Sequence, residues 1–177
     1  MIDRTSTCDA EIIREIVIGR NSKVWKASAR NPDVVRRFSV ALSHSDVGNF
    51  NFGRGDRVWI FAYSKEADGN SRLLSRLEAA GVQNVVYVST ATTNVTRLTN
   101  CYAYPRVKQQ AELEARRRFN AKILRLGLVV GALSEVPAGW HAVTFQERLD
   151  RFLLEPQWGS EDNDVHLFEF IAVPFAR

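Results

Sequence analysis

The chain has 177 residues, 45% of them hydrophobic and 25% charged, a balance that fits a globular protein and excludes disordered and fibrous classes. Lys and Arg number 24 against 20 Asp and Glu, and a net charge of +4 is too small to argue for a nucleic-acid partner. At this length one domain is expected, burying roughly 70% of the unfolded chain's surface without help from disulfides or a structural metal.

The opening Met1-Ile2-Asp3-Arg4-Thr5 lacks the apolar core of a secretory signal, and nothing downstream approaches the ~18 uncharged apolar residues of a membrane span. Residues 12–18 read as a strand ending at Gly19, residues 22–30 as a helix stopped by Asn31-Pro32, and residues 38–42 as a second strand. Residues 46–56 form a Gly/Asn-rich loop before a third strand at 57–62. A helix over 71–80 then ends at Gly81, where a left-handed cap is expected. Residues 85–88 read as a strand, 104–119 as a helix, and 123–130 as a buried strand that carries Arg125. Thr144-Phe145-Gln146-Glu147 has the spacing of a capping box and predicts a helix to Leu154, with residues 165–173 as a last strand. Strands and helices taking turns predict an α/β fold, a doubly wound parallel sheet flanked by helices, with ligands at the carboxyl ends of the strands.

Those carboxyl ends read Gly19-Arg20-Asn21-Ser22, Ser43-His44, Tyr63-Ser64, Ser89-Thr90 and Gly131. Just beyond the fourth, Tyr104 and Lys108 stand four residues apart at the start of a predicted helix, a spacing that puts both on one face. Pro105 suits a first helical turn, so Tyr104 meets the positive end of the helix dipole. The dipole and the Lys108 ammonium both favour a tyrosinate.

Val85-Val86-Tyr87-Val88-Ser89-Thr90, Tyr104-Pro105-Arg106-Val107-Lys108 and residues 123–131 (ILRLGLVVG) together resemble the short-chain dehydrogenase/reductase superfamily. They are most similar to its extended branch of nucleotide-sugar epimerases and dehydratases. Leu77-Glu78-Ala79-Ala80-Gly81-Val82 and Asn70 resemble that branch too, so the likeness spans residues 56–131. It implies a Rossmann-like core over residues 1–131, with residues 132–177 as a short extension completing or capping the same domain. It also implies acid–base catalysis coupled to hydride transfer. Tyr104 then exchanges the substrate proton, Lys108 tunes it and holds the cofactor ribose, and Thr90 hydrogen-bonds the reacting oxygen. Ser89 stands beside Thr90; in the family the second of two such hydroxyl residues is usually the catalytic one.

The resemblance weakens at the cofactor loop. Where the family has Gly-x-x-Gly-x-x-Gly, this chain has Gly19-Arg20-Asn21-Ser22-Lys23-Val24-Trp25, keeping only the first glycine. Ser22 suits either phosphate binding or helix capping, and Trp25 reads as core packing. Cofactor contacts are expected from Gly19, Arg20, Asn21 and Ser22, from Ser43, Ala62 and Tyr63 at the next strand ends, and from Lys108. No acidic residue closes the second strand, where Ser43 and His44 lie with Asp46 just beyond. That leans towards NADP over NAD, with Arg20 as the phosphate's partner, or towards no dinucleotide at all. The short spacing from Gly19 to the strand at 57–62 implies that one strand or helix of the first half is reduced or missing.

The rest supplies exclusions. Arg116-Arg117-Arg118 alternates with acidic residues on its helix and reads as a solvated face. The three histidines and Cys8 and Cys101 lack metal-ligand spacing, and two distant cysteines read as a reducing, cytoplasmic setting. Trp140 and Trp158 read as core or interface packing first and as part of a binding surface second. Val107, Ala111, Ala115 and Phe119 repeat at helical spacing and carry an expectation of a homodimer. Two functions are expected from different classes. One is an NAD(P)-dependent oxidoreductase or epimerase acting on a small molecule, a nucleotide-sugar of polysaccharide biosynthesis being the suggested substrate. The other is a non-catalytic regulatory or scaffolding module of the same fold with weakened cofactor binding.

Overall fold

The computed structural model describes residues 14–53, 55–62, 64–158 and 163–175. Cys8, Tyr63 and the first two residues of the strand predicted at 12–18 lie outside the described residues. The strands are β1 (Glu15–Ile18), β2 (Val40–Leu42), β3 (Arg57–Ile60), β4 (Asn84–Thr90), β5 (Lys122–Leu126), β6 (Leu128–Val130), β7 (Gly139–Phe145), β8 (Asp164–His166) and β9 (Glu169–Val173). The α-helices are α1 (Lys23–Ser28), α2 (Pro32–Arg37), α3 (Ala67–Ala79), α4 (Thr96–Cys101), α5 (Ala103–Phe119) and α6 (Gln146–Leu154).

Six strands form one sheet in the order β2-β1-β3-β4-β5-β8, and each of its pairs is parallel. Successive residues of a strand face opposite ways, and here both faces are apolar, as a sheet covered on both sides requires. Ile16, Ile18, Val58, Ile60, Val85, Tyr87 and Ile123 pack on Leu73, Leu74 and Leu77 of α3 and on Ala111 and Ala115 of α5. Val17, Trp59, Val86, Val88, Leu124 and Leu126 pack on Trp25 of α1, Val34 of α2 and Leu149, Phe152 and Leu153 of α6. Full burial of each such aliphatic side chain contributes about 1.5–3 kcal/mol. The doubly wound α/β fold expected from the sequence is the fold observed.

The dinucleotide-binding order 3-2-1-4-5-6 has a further strand outside the second one. Here the three-residue β2 is the edge, and residues 43–56 reach β3 through a 3-10 turn at Asp46–Asn49 with no α-helix among the described residues. The first half is therefore reduced, as the spacing implied.

Several elements differ from the sequence reading. Asn31-Pro32 does not only end a helix; it starts another, because the Asn31 side chain accepts from the Asp33 backbone N–H at 3.0 Å and Pro32 needs no donor at a first helical position. The strand expected at 123–130 is two strands. A Cβ at Gly127 would fall well inside contact distance of the Ala142 carbonyl oxygen, so the chain passes close under β7 there and leaves the main sheet. The strand expected at 165–173 also divides, β8 joining the main sheet and β9 pairing antiparallel with β7. Thus β6, β7 and β9 form a second sheet of three strands.

Thr144 is no helix cap. It lies buried in β7, where its hydroxyl accepts from the Gly127 N–H at 2.9 Å and donates to the Leu167 carbonyl at 2.6 Å, fastening both crossovers. The helix α6 starts after Phe145 without a side-chain cap.

Arg125, the one charge in the apolar run, is buried and fully engaged. It donates to Glu112 and to Asp164, each at 2.6 Å, and to the Thr93 hydroxyl at 3.2 Å. The Thr93 hydroxyl also lies 2.9 Å from the Thr90 carbonyl oxygen and 2.8 Å from Glu112. This network ties α5, β5, β8 and the turn after β4 together, and so sets the position of Thr90. No helix among the described residues is long and apolar enough to cross a membrane.

Candidate functional site

The turn after β1 is built on Gly19, whose φ of +109° is open to glycine and strained for other residues. A Cβ there would lie 2.5 Å from the backbone nitrogen of Ala62, so the chain folds tightly against the end of β3. Ser22 N-caps α1, its hydroxyl accepting from the Trp25 N–H at 3.3 Å. The Trp25 indole meets Phe38 edge-on at 5.1 Å and Phe61 at 5.6 Å, filling the space between α1 and the sheet. Its core role is as expected.

Arg20 and Ser43 come together with a residue that the sequence placed just beyond the strand. Asp46 accepts from the Ser43 N–H at 2.8 Å and lies 3.4 Å from the Arg20 guanidinium. Its carboxyl is held below the ordinary range, chiefly by the Ser43 backbone N–H and hydroxyl, with Arg20 adding to the effect. Asn21 is exposed, and Ala62 packs behind Gly19.

The remaining predicted residues converge at the ends of β4 and β5. A cavity of about 170 Å³ is lined by Ser22, Ser89, Thr90, Tyr104 and Lys108, with Val24, Phe61, Val88, Leu126 and Gly127 as its apolar walls. Tyr104 stands in the first turn of α5 and is 46% exposed. Lys108, one turn further, is only 5% exposed. Its Nζ donates to the Val88 carbonyl at 2.9 Å and lies 4.9 Å from the centre of the Tyr87 ring. Burial lowers its pKa to about 8, against the opposing pull of Glu112. Thr90 is half-buried, its Oγ1 3.2 Å from that of Thr92. The Ser89 hydroxyl is buried with no hydrogen-bond partner among the described residues.

Two neighbouring cavities share lining residues with this one. One of about 660 Å³ shares Val24 and Gly127 with it and extends between α1, β6 and α6, past Lys23, Arg30, Glu135 and Asp150. The other, about 430 Å³, shares Thr90 and Gly127 and runs under β7 and β9. Its aromatic residues are Trp140, 79% exposed where packing was the first expectation and a binding surface the alternative, and Phe170, on the strand expected at 165–173; the strand β7 that carries Trp140 was not foreseen. The alternation in Gly-Trp-His-Ala-Val-Thr-Phe was the available signal. Of the apolar stripe on α5, Ala111, Ala115 and Phe119 pack in the core beside the sheet and Val107 is buried.

No family model and no curated protein sequence matches the chain. Solved structures match over most of it. A UDP-glucose 4-epimerase from Thermotoga maritima, solved with UDP-glucose, is 13% identical, covers 90% of this chain and 78% of its own, and has a TM-score of 0.63. A GDP-L-fucose synthetase from Naegleria fowleri, bound to NADP, is 9% identical with coverages of 90% and 78% and a TM-score of 0.65. A wide-type short-chain dehydrogenase/reductase from Veillonella parvula, in complex with NADP, is 11% identical with coverages of 89% and 94% and a TM-score of 0.60. The chain therefore shares its fold with these proteins.

Proposed function

We propose that this chain is an oxidoreductase or epimerase that uses a nicotinamide dinucleotide, with Tyr104 as its acid–base residue. One observation carries the reading. The buried Ser89 hydroxyl has no partner among the described residues, and Ser89 is one of the residues around the cavity shared by Thr90, Tyr104 and Lys108. Leaving such a group unsatisfied costs about 1–3 kcal/mol, a defect that a bound ligand repairs. The likeness to NADP-bound structures of the same fold supports the choice of ligand.

The residues present fit the nicotinamide end of such a cofactor. Ser89 and Lys108 supply hydrogen-bonding groups for its ribose and amide, and Val24, Phe61 and Leu126 supply apolar walls. When bound, the dinucleotide supplies the hydride donor or acceptor. The chain does the rest: Tyr104 gives or takes the proton at its hydroxyl, Thr90 orients the reacting oxygen, and the walls exclude water. With a pKa near 8, Lys108 is mostly an ammonium at neutral pH, next to a face where negative charge develops. Gly19, Arg20, Ser43 and Ala62 would flank the adenosine half. The Arg20 guanidinium suits a 2′-phosphate and the Asp46 carboxylate beside it suits a ribose hydroxyl, so the proposed cofactor is NAD or NADP.

A second reading has its own support. Trp25 fills the place of the third glycine and the Ser22 hydroxyl caps a six-residue helix, which favours a regulatory or scaffolding module with weakened dinucleotide binding. Titration with NADH separates the two. Saturable binding, together with a turnover lost in Tyr104→Phe but an unchanged NADH affinity, supports the enzyme; no binding at millimolar NADH or NADPH supports the module.

A further inference from the structure

The cavity beneath β7 and β9 begins at Thr90, the residue proposed to orient the reacting oxygen, and holds about 430 Å³, a volume suited to a small organic ligand. Its walls are Val95, Leu98, Leu128, Trp140, Ala142 and Phe170. Among its described lining residues there is no Lys, Arg, Asp or Glu, and the single titratable side chain is His141, which lies 3.3 Å from the Ala138 carbonyl oxygen.

Two aromatic side chains frame the opening. Trp140 is 79% exposed and Phe170 is 70% exposed, large values for residues that bury 150–250 Å² when covered. They belong to adjacent antiparallel strands in which Trp140 pairs with Ala172 and Ala142 with Phe170. The two aromatics are thus diagonal neighbours on one face, within reach of one flat ligand.

A nucleotide-sugar, the ligand of the Thermotoga epimerase structure, brings a diphosphate. Diphosphates are held by Arg and Lys forks, by runs of backbone N–H groups or by helix N-termini, because a phosphate charge in apolar surroundings is strongly disfavoured. This cleft offers apolar and aromatic surface with hydroxyls from Thr90 and Thr92 at one end.

We infer that the cleft takes the uncharged, aromatic or alicyclic body of a small carbonyl compound or alcohol, and that its polar end is directed at Thr90. The orientation rests on the proposed function; the preference for an uncharged ligand rests on the cleft alone. Trp140 and Phe170 are then specificity-determining residues, outside the acid–base set.

The test is binding read at Trp140 itself. Trp25 and Trp59 are buried and Trp158 is half-buried, so the indole N–H resonance of Trp140 in ¹⁵N-labelled protein, assigned with Trp140→Phe, reports this cleft. The expected result is a saturable shift of that resonance with 2-acetylnaphthalene and none with UDP-glucose. Affinity for the ketone is measured calorimetrically and should weaken about tenfold or more in a Trp140→Ser/Phe170→Ser variant whose backbone spectrum is otherwise unchanged. The inference is overturned if UDP-glucose shifts Trp140 at lower concentration than the ketone, or if the double variant binds the ketone as well as the wild type. NADH binding to the same samples, followed by its own fluorescence, is a separate readout. Its absence removes the proposed function while the Trp140 result still decides the ligand class.

Discussion

Lys108→Met isolates the energetic consequence of burying a functional charge. An ordinary lysine titrates near 10.5, and burial brings Lys108 down to about 8 in the folded chain. That fall corresponds to about 3 kcal/mol of folding free energy, lost wherever the folded side chain must carry its proton. Methionine of similar length removes this penalty and forfeits the charged donor's bond to the Val88 carbonyl, a loss of about 1.5–3 kcal/mol. The net expectation at pH 7 is a gain of up to about 1.5 kcal/mol, or a few degrees in melting temperature. The pH dependence follows from the lowered pKa. Below about pH 8 the penalty is complete; between about 8 and 10.5 the unfolded chain binds the extra proton, so wild-type stability rises with pH. Above that window the penalty is gone. Urea titrations of both proteins at pH 7 and pH 10.5 measure it: the variant's advantage at pH 7 should vanish or reverse at pH 10.5. A variant that is less stable at pH 7, with the wild-type slope against pH, would refute the assignment of Lys108 as a charge retained against stability.

Other expectations follow from the same contacts. Arg125→Met leaves the buried Glu112 without its counter-ion, Asp164 keeping Arg116, and should lower stability by about 3–5 kcal/mol in chemical denaturation. Gly127→Ala forces a methyl group onto the Ala142 carbonyl, and a loss of about 1–3 kcal/mol is expected, with faster amide exchange in β6 and β7. Tyr104→Phe should cut turnover by roughly 10²- to 10⁴-fold, once a substrate is in hand, without moving the NADH dissociation constant by more than about threefold. Reversing charge with Asp46→Arg should shift dinucleotide preference towards NADPH, read as the ratio of the two dissociation constants.

What the sequence discloses is what local pattern controls. The apolar runs at β1, β3, β4 and β5 are legible because both faces of a covered sheet demand them, and α5 because its apolar positions recur at helical spacing. Ser89, Thr90, Tyr104 and Lys108 were found together because a strand end and the next long helix start are neighbours in this fold. The misses depend on distant partners. Gly127 breaks a strand because of Ala142, fifteen residues away, and no local signal separates that glycine from an ordinary strand interruption. Thr144 matches a capping box in spacing, but Gly127 and Leu167 claim its hydroxyl. Asp46 reads as a loop residue until the turn carries its carboxylate back to Ser43 and Arg20.

The central claim is that the cavity of Ser89, Thr90, Tyr104 and Lys108 holds a nicotinamide ring. Titration of wild type and Thr90→Trp with NADH, followed by the fluorescence of the bound cofactor, tests it most directly, since the half-buried position 90 admits an indole that blocks the cavity mouth. The account predicts saturable binding by the wild type and at least about tenfold weaker binding by the variant, with both folded by circular dichroism. Equal affinity in the two proteins, or no saturation by the wild type at millimolar NADH, would contradict it.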